Sequence, residues 1–379
     1  FIHGLEREGQ LNRELEFIPS DDEISDRVAS DQGLTRPELS VLIAYGKMVL
    51  KDALNIPEIT DNPYHGKLLV EAFPSILREK FATHMQQHPL RSEIIATKLT
   101  NNMVNDMGLN FVFRMQEETG ANIVDIANAY AASREIYGLG KVLKSIRELD
   151  NVSSSEAQYE LIYHVRRTLR RLARWLLRNR TGKQSVNALI ELYQGDVVAI
   201  TEKLDENLVA SEVEEHQAMA QLWIDQGVNA ELANSVARLS SLYSALDIST
   251  VARETGKTVQ QASKLYFNLG DRLSLHWFLK QINGQAVDNN WQALARAAFR
   301  EDLDWQQRQL TGQVLNCGCA SDIDVIKALD DWMENNSVSL HRWESILNEF
   351  KVGSVHEFAK FSVALRELML LNLNCMSKD

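Results

Sequence analysis

All six prolines of this 379-residue chain fall within its first 89 residues, at Pro19, Pro37, Pro57, Pro63, Pro74 and Pro89. Proline lacks a backbone N–H and its ring clashes with the preceding helical turn. It is therefore tolerated in loops and first turns but not in helix interiors. This distribution predicts short helices and loops over 1–90 and a nearly uninterrupted helical array over 91–379. Apolar residues recur at spacings of three and four, and no alternating strand pattern is evident. The expected fold class is all-α: a multi-helix array of two related helical modules, preceded by a proline-containing helical segment.

The two modules are visible as a repeat. Glu118-Thr119-Gly120 returns as Glu254-Thr255-Gly256, 136 residues later. Laid over each other without a gap, 118–146 and 254–282 also share Tyr130/Tyr266, Leu139/Leu275, Leu143/Leu279, Lys144/Lys280 and Ile146/Ile282, eight identities in 29 positions. Each copy reads as a helix stopped at Gly, the residue that takes a left-handed cap conformation cheaply. The next helix starts on a polar N-cap, Asn122 or Thr258. The chain then divides into a connecting segment (1–90), a first module with an arginine-rich helix (91–217), a second module (218–320) and C-terminal helices (321–379).

Within the first segment, Ser20 with Glu23 and Thr35 with Glu38 carry capping-box spacing, and Pro37 stands in a first turn. The Thr35 helix is expected to end near Asn55. Tyr64–Phe73 and Ser75–His88 read as two more helices, and Leu90–Met107 as a third with Ile94, Ile95, Leu99, Met103 and Val104 on one face. A long helix over roughly 155–180 offers a seam of Ile162, Val165, Leu169, Leu172 and Leu176. Its flank carries Arg166, Arg167, Arg170, Arg171, Arg174, Arg178 and Arg180. The corresponding helix of the second module, Trp291–Leu315, has lost most of these arginines. Between them lies an acid-rich stretch with Glu202, Asp205, Glu206, Glu212, Glu214 and Glu215.

A net charge of −12 favours solubility and disfavours nonspecific nucleic-acid binding. Three cysteines without framework spacing fit a reducing cytoplasm. No apolar run approaches the roughly 18 residues of a membrane span, so no membrane partner is expected. A start at Phe1 rather than Met suggests a piece of a longer protein.

The chemistry-bearing motifs are weak. Gly138-Leu139-Gly140 lacks both the third glycine and the preceding strand of a dinucleotide loop, and reads as a helix break. Cys317, Cys319 and Cys375 with His341 or His356 match no zinc spacing, and His84/His88 has no acid to complete a site. No catalytic, cofactor-binding or metal-binding residue is assigned. The arginine flank is a candidate surface for RNA, anionic lipid or phosphate, or else a face that meets carboxylates of another domain or subunit. Val251–Val259 has the look of a helix-turn-helix turn, but the helix after it carries Leu265, Tyr266, Phe267 and Leu269 beside a single Lys264, a poor groove reader.

Leu34-Thr35-Arg36-Pro37-Glu38-Leu39-Ser40-Val41-Leu42-Ile43-Ala44-Tyr45-Gly46-Lys47 resembles the C-terminal region of the large bacterial NAD-specific glutamate dehydrogenases. So do Arg91-Ser92-Glu93-Ile94-Ile95-Ala96-Thr97, Glu117-Glu118-Thr119-Gly120-Ala121, and Tyr130-Ala131-Ala132-Ser133-Arg134-Glu135-Ile136-Tyr137-Gly138-Leu139-Gly140. The resemblance is dense from about 10 to 180, thinner to about 320, and least over 321–379. It implies a parent oxidoreductase that converts L-glutamate and NAD to 2-oxoglutarate, ammonium and NADH in the cytoplasm, within glutamate catabolism. The family's catalytic lysine and dinucleotide fold lie upstream of the stretch seen here, so NAD belongs to that upstream catalytic domain and no cofactor to this segment. The implied partners are that catalytic domain and further copies in a homo-oligomer, with no nucleic acid. The other reading is a nucleic-acid-binding helical protein that uses the arginine flank or the second turn.

Overall fold

The helix stops and starts fall where the turn residues put them. In the computed structural model, which describes residues 1–179, 184–317, 324–352 and 357–376, Gly120 and Gly256 both close helices in the left-handed conformation, with φ of +69° and +65°. The helices that follow run Ile123–Ile136 and Val259–Arg272, then Leu139–Arg147 and Leu275–Asn283. Every one of these boundaries obeys the 136-residue offset. So does the residue before the last pair, Gly138 or Ser274, which is left-handed in each copy. Serine adopts that conformation at a steric cost glycine avoids, so the geometry has outlasted the residue type.

No strand occurs among the described residues, which form 24 helices. They make up two units. The first comprises Phe1–Glu135 and Arg166–Ile190, the second Ile136–Val165 and Glu191–Asp379. In the first unit the helix Arg91–Met107 is central. It packs against Arg36–Leu54, Pro57–Thr60, Lys67–Glu71 and Phe111–Thr119. Ile95, Leu99, Met103 and Val104 are buried as the spacing required, while Ile94 is only half-buried. The Ser20 and Thr35 starts hold: the Thr35 N–H donates to Glu38 Oε2 at 2.6 Å, and the helix ends at Leu54. Gly46 on that helix admits a close neighbour, since a Cβ there would stand 2.6 Å from Leu109 Cδ2.

In the second unit Asn290–Cys317 is central. It packs against Ala245–Thr255, Val259–Arg272, Leu275–Asn283, Val325–Asn335 and Phe358–Met376. Phe278 anchors the chain end, with ring centroids 5.5 Å from Trp343, 5.3 Å from Phe350 and 5.6 Å from Phe361. Trp343, Phe350 and Phe361 therefore cap the second copy with an aromatic cluster.

One segment departs from expectation. Tyr64–Phe73 shrinks to Lys67–Glu71, and Ser75–His88 breaks into Ser75–Arg78 and Ala82–Gln86. Only Met85 is buried across those last two helices. Without an apolar stripe, tertiary packing does not sustain a longer helix.

Candidate functional site

The arginine helix spans Ser155–Asn179. Its buried seam is Leu161, Val165, Leu169, Leu172 and Leu176; Ile162, expected in the seam, is half-buried one position round the helix. The arginines are not a solvated flank. Arg174 is buried, Arg166, Arg167, Arg170 and Arg171 are half-buried, and Arg178 alone is exposed; Arg180 lies outside the described residues. Nor do those with defined partners reach out to another domain. Arg174 Nη1 donates to Glu118 Oε2 at 2.5 Å, and Arg178 Nη2 to the Glu118 carbonyl at 2.6 Å. Arg166 donates from Nε to the Asp106 carbonyl at 2.7 Å and from Nη2 to the Asn105 carbonyl at 2.9 Å. The last carbonyls of a helix have no intrahelical partner and carry partial negative charge. Arg166 and Arg178 thus cap the C-terminal ends of Arg91–Met107 and Phe111–Thr119. The Asp106 carboxylate is buried and accepts from Tyr130 Oη at 2.7 Å and Arg134 Nε at 3.0 Å.

The second copy lacks this clamp. At the 136-residue offset, Arg174 and Arg178 become Leu310 and Val314, both fully buried, and Glu254, the counterpart of Glu118, is exposed. The helix after Gly256 buries Ala262, Ser263, Leu265, Tyr266, Phe267, Leu269 and Gly270. A recognition helix needs that surface free for a groove, so the turn serves a packed hairpin.

A further group of titratable side chains lies in the second unit, between Ala210–Asp225 and Leu275–Asn283. His276 Nδ1 stands 3.1 Å from Glu212 Oε1, its Nε2 stands 3.5 Å from Glu215 Oε2, and Lys280 pairs with Glu215. Burial lifts the Glu212 carboxyl to about 7, with repulsion from Asp271 and Glu215 adding to it. Burial also lowers the His276 imidazole. Both directions favour a neutral pair. Burial opposes the ionised form of Glu215 as well, but contact with Lys280 holds it below its ordinary value. Sequence inspection saw the acids but missed the cluster, because His276 is 64 residues from Glu212 and nothing local links them.

The sign of the pH effect follows from Glu212. Its folded form holds a proton more tightly than its unfolded form. The stability this contributes is complete below the ordinary value of 4.5 and is lost as pH rises through about 7. Urea unfolding followed across that window is expected to show the loss, and Glu212→Gln is expected to flatten it. Parallel profiles for the two proteins would refute the assignment.

Other features support no chemistry. His216 Nε2 lies 3.1 Å from Ser240 Oγ and 3.2 Å from Ser241 Oγ, a nucleophile-and-base spacing, yet its buried Nδ1 has no hydrogen-bond partner to orient the ring. Position 84 lies in Ala82–Gln86 and position 88 beyond its end, so the i, i+4 helical spacing of those histidines is not realised. No group of three or more His, Cys, Asp or Glu side chains among the described residues is placed to hold a metal ion; Cys317 is exposed, while Gly318, Cys319, His356 and the Cys375 side chain lie outside them. Gly138 starts a helix and no strand precedes it. An open groove of about 240 Å³, lined in part by Ala72, Leu90, Glu93, Ile94, Thr97 and Lys98, is small for a dinucleotide. No helix of the described residues is long and apolar enough to cross a membrane.

Comparison with known proteins gives these features a context. The chain is 39% identical over 369 residues to the NAD-specific glutamate dehydrogenase of Halomonas elongata, covering 97% of this chain and 23% of that protein. It is 39% identical over 365 residues to the Pseudomonas aeruginosa NAD-specific glutamate dehydrogenase, covering 96% and 22%, and 31% identical over 368 residues to the one from Mycobacterium tuberculosis, covering 97% and 22%. The chain thus spans less than a quarter of the length of these relatives. Residues 31–370 match the family described as "Glutamate dehydrogenase, C-terminal", and the chain belongs to that family.

Proposed function

We propose that this chain is the non-catalytic helical part of an NAD-specific glutamate dehydrogenase, and that the whole protein oxidises L-glutamate with NAD to 2-oxoglutarate, ammonium and NADH. The match across 31–370 carries this reading. In it, nicotinamide and substrate are held by the catalytic domain upstream, and residues 1–379 hold neither cofactor nor metal. Their work is packing on that domain and assembly of a cytoplasmic homo-oligomer. The division of the chain at 90, 217 and 320 belongs to the same proposal, as the boundaries of a duplicated helical unit.

The interior pattern supports a scaffold. Arg166, Arg174 and Arg178 of the arginine flank donate to Glu118 and to helix-end carbonyls. Phosphate binding would have to break those bonds. Hydride transfer needs both reactants positioned by one fold, so residues 1–379 alone are expected to yield NADH from glutamate no faster than a heat-denatured control, while the full-length protein turns over. Activity of the isolated segment above that control would overturn the proposal. Tight, salt-dependent binding of RNA or duplex DNA would promote the nucleic-acid reading instead.

A further inference from the structure

The turn over 12–18 is held firmly, yet it presents its largest apolar groups to water. Leu11 and Ile18, at its two ends, are buried in a cluster with Leu5 and Leu42. Asn12 Oδ1 accepts from the N–H groups of Glu14 and Leu15 at 3.0 and 3.2 Å, and the Ile18 N–H donates to the Arg13 carbonyl at 3.0 Å. Arg13 is fixed by Glu6, by the Pro19 carbonyl at 3.1 Å and by Asp21 at 2.8 Å. Tyr45 Oη donates to Glu16 at 2.5 Å. Between these ties Phe17 takes a φ of +54°, and its side chain is 85% exposed; Leu15 is 74% exposed.

A left-handed backbone is unfavourable for phenylalanine, and an exposed ring gains nothing from burial. Neither the strain nor the exposure is compensated within this unit. Strain of this kind, held by a surrounding that over-determines it, points to function, and a rigid exposed aromatic is the usual anchor of a protein interface.

We infer that Phe17, flanked by Leu15, is a preorganised anchor that seats in an apolar pocket of the upstream part of the same full-length polypeptide. Three observations select that occupant. The relatives extend over more than four times this chain's length, so a large partner surface is covalently attached. Phe1 and Ile2 pack on the same cluster that holds Leu11 and Ile18, which brings the incoming chain to the base of the anchor and gives the partner a high effective concentration. Glu14 on the turn, and Asp22 and Asp26 on the helix Asp21–Ala29 that follows it, are exposed, charges that a surface with basic groups would complement. The inference rests on the reading of this chain as part of a longer enzyme.

The test uses the full-length protein. With p-benzoylphenylalanine in place of Phe17, irradiation is expected to give adducts on residues upstream of this segment, within one chain when isotopically heavy and light subunits are mixed. Adducts only on another subunit, or none, would overturn the inference. In a second measurement, Phe17→Gly leaves the turn a residue that adopts its backbone freely. The variant is expected to keep its helical circular dichroism while binding at least twofold more of a hydrophobic dye at the uncovered pocket; unchanged dye binding would equally overturn it. A full-length protein that adducts as expected but does not oxidise glutamate would sink the functional reading and leave the docking intact. An active protein without adducts would do the reverse.

Discussion

Glu118→Ala is expected to lower the unfolding free energy of residues 1–379 by about 3 kcal/mol, whereas Glu254→Ala, at the equivalent place in the second copy, is expected to change it by less than about 0.5 kcal/mol. The difference lies in the surroundings. The Glu118 side chain is 14% exposed and that of its partner Arg174 is 11% exposed, so removing the acid leaves a largely desolvated guanidinium without its carboxylate. Arg114 also lies 3.5 Å from Glu118. Glu254 is exposed, and the positions matching Arg174 and Arg178 are leucine and valine. Urea denaturation of the two variants measures the contrast. Equal losses would mean that the clamp contributes nothing beyond a surface ion pair.

The second large effect is expected at Phe278. Its side chain is fully buried and touches Trp343, Phe350 and Phe361 with edge-on or tilted ring geometry. Trp343 in turn donates from Nε1 to the Leu273 carbonyl at 2.9 Å. Phe278→Ala removes a ring from the centre of this group, leaving a cavity that costs about 3–5 kcal/mol. Because the helices Ser337–Val352 and Phe358–Met376 supply the other rings, near-ultraviolet circular dichroism should lose its tryptophan signal well before helicity falls on heating. A variant that unfolds at the wild-type midpoint would show that the terminal helices are held by other contacts.

What the sequence revealed and what it hid divide along physical lines. Proline placement, capping boxes and the two Glu-Thr-Gly turns are local signals, and the helix limits follow them closely. The Ser75–His88 stretch misled because helix propensity without an apolar stripe does not build a long helix. The seam on the arginine helix was displaced by one residue, Leu161 for Ile162, since both lie near one edge of the same apolar face. The arginines were harder to read: Arg174 meets a carboxylate within its own unit rather than in another domain or subunit, and Arg166 and Arg178 meet the carbonyl ends of two other helices, which no local spacing signals. The Glu212–His276 pair was illegible because it is created by packing alone. The docking turn was equally hidden, for neither the backbone angle of Phe17 nor its exposure has a sequence signature.

The arginine caps also bear on the order in which the molecule is completed. The helix Phe111–Thr119 carries Glu118 in its last turn, yet the groups that satisfy its carboxylate and carbonyl come from Arg174 and Arg178, some 56 and 60 residues further along. During synthesis, which adds roughly 5–20 residues each second, this early helix waits several seconds for its closing partners. Until then, the first Glu-Thr-Gly turn must depend on its own glycine and on Thr119, whose hydroxyl donates to the Met115 carbonyl at 2.6 Å. At the second turn, Leu310 and Val314 stand where the first has Arg174 and Arg178.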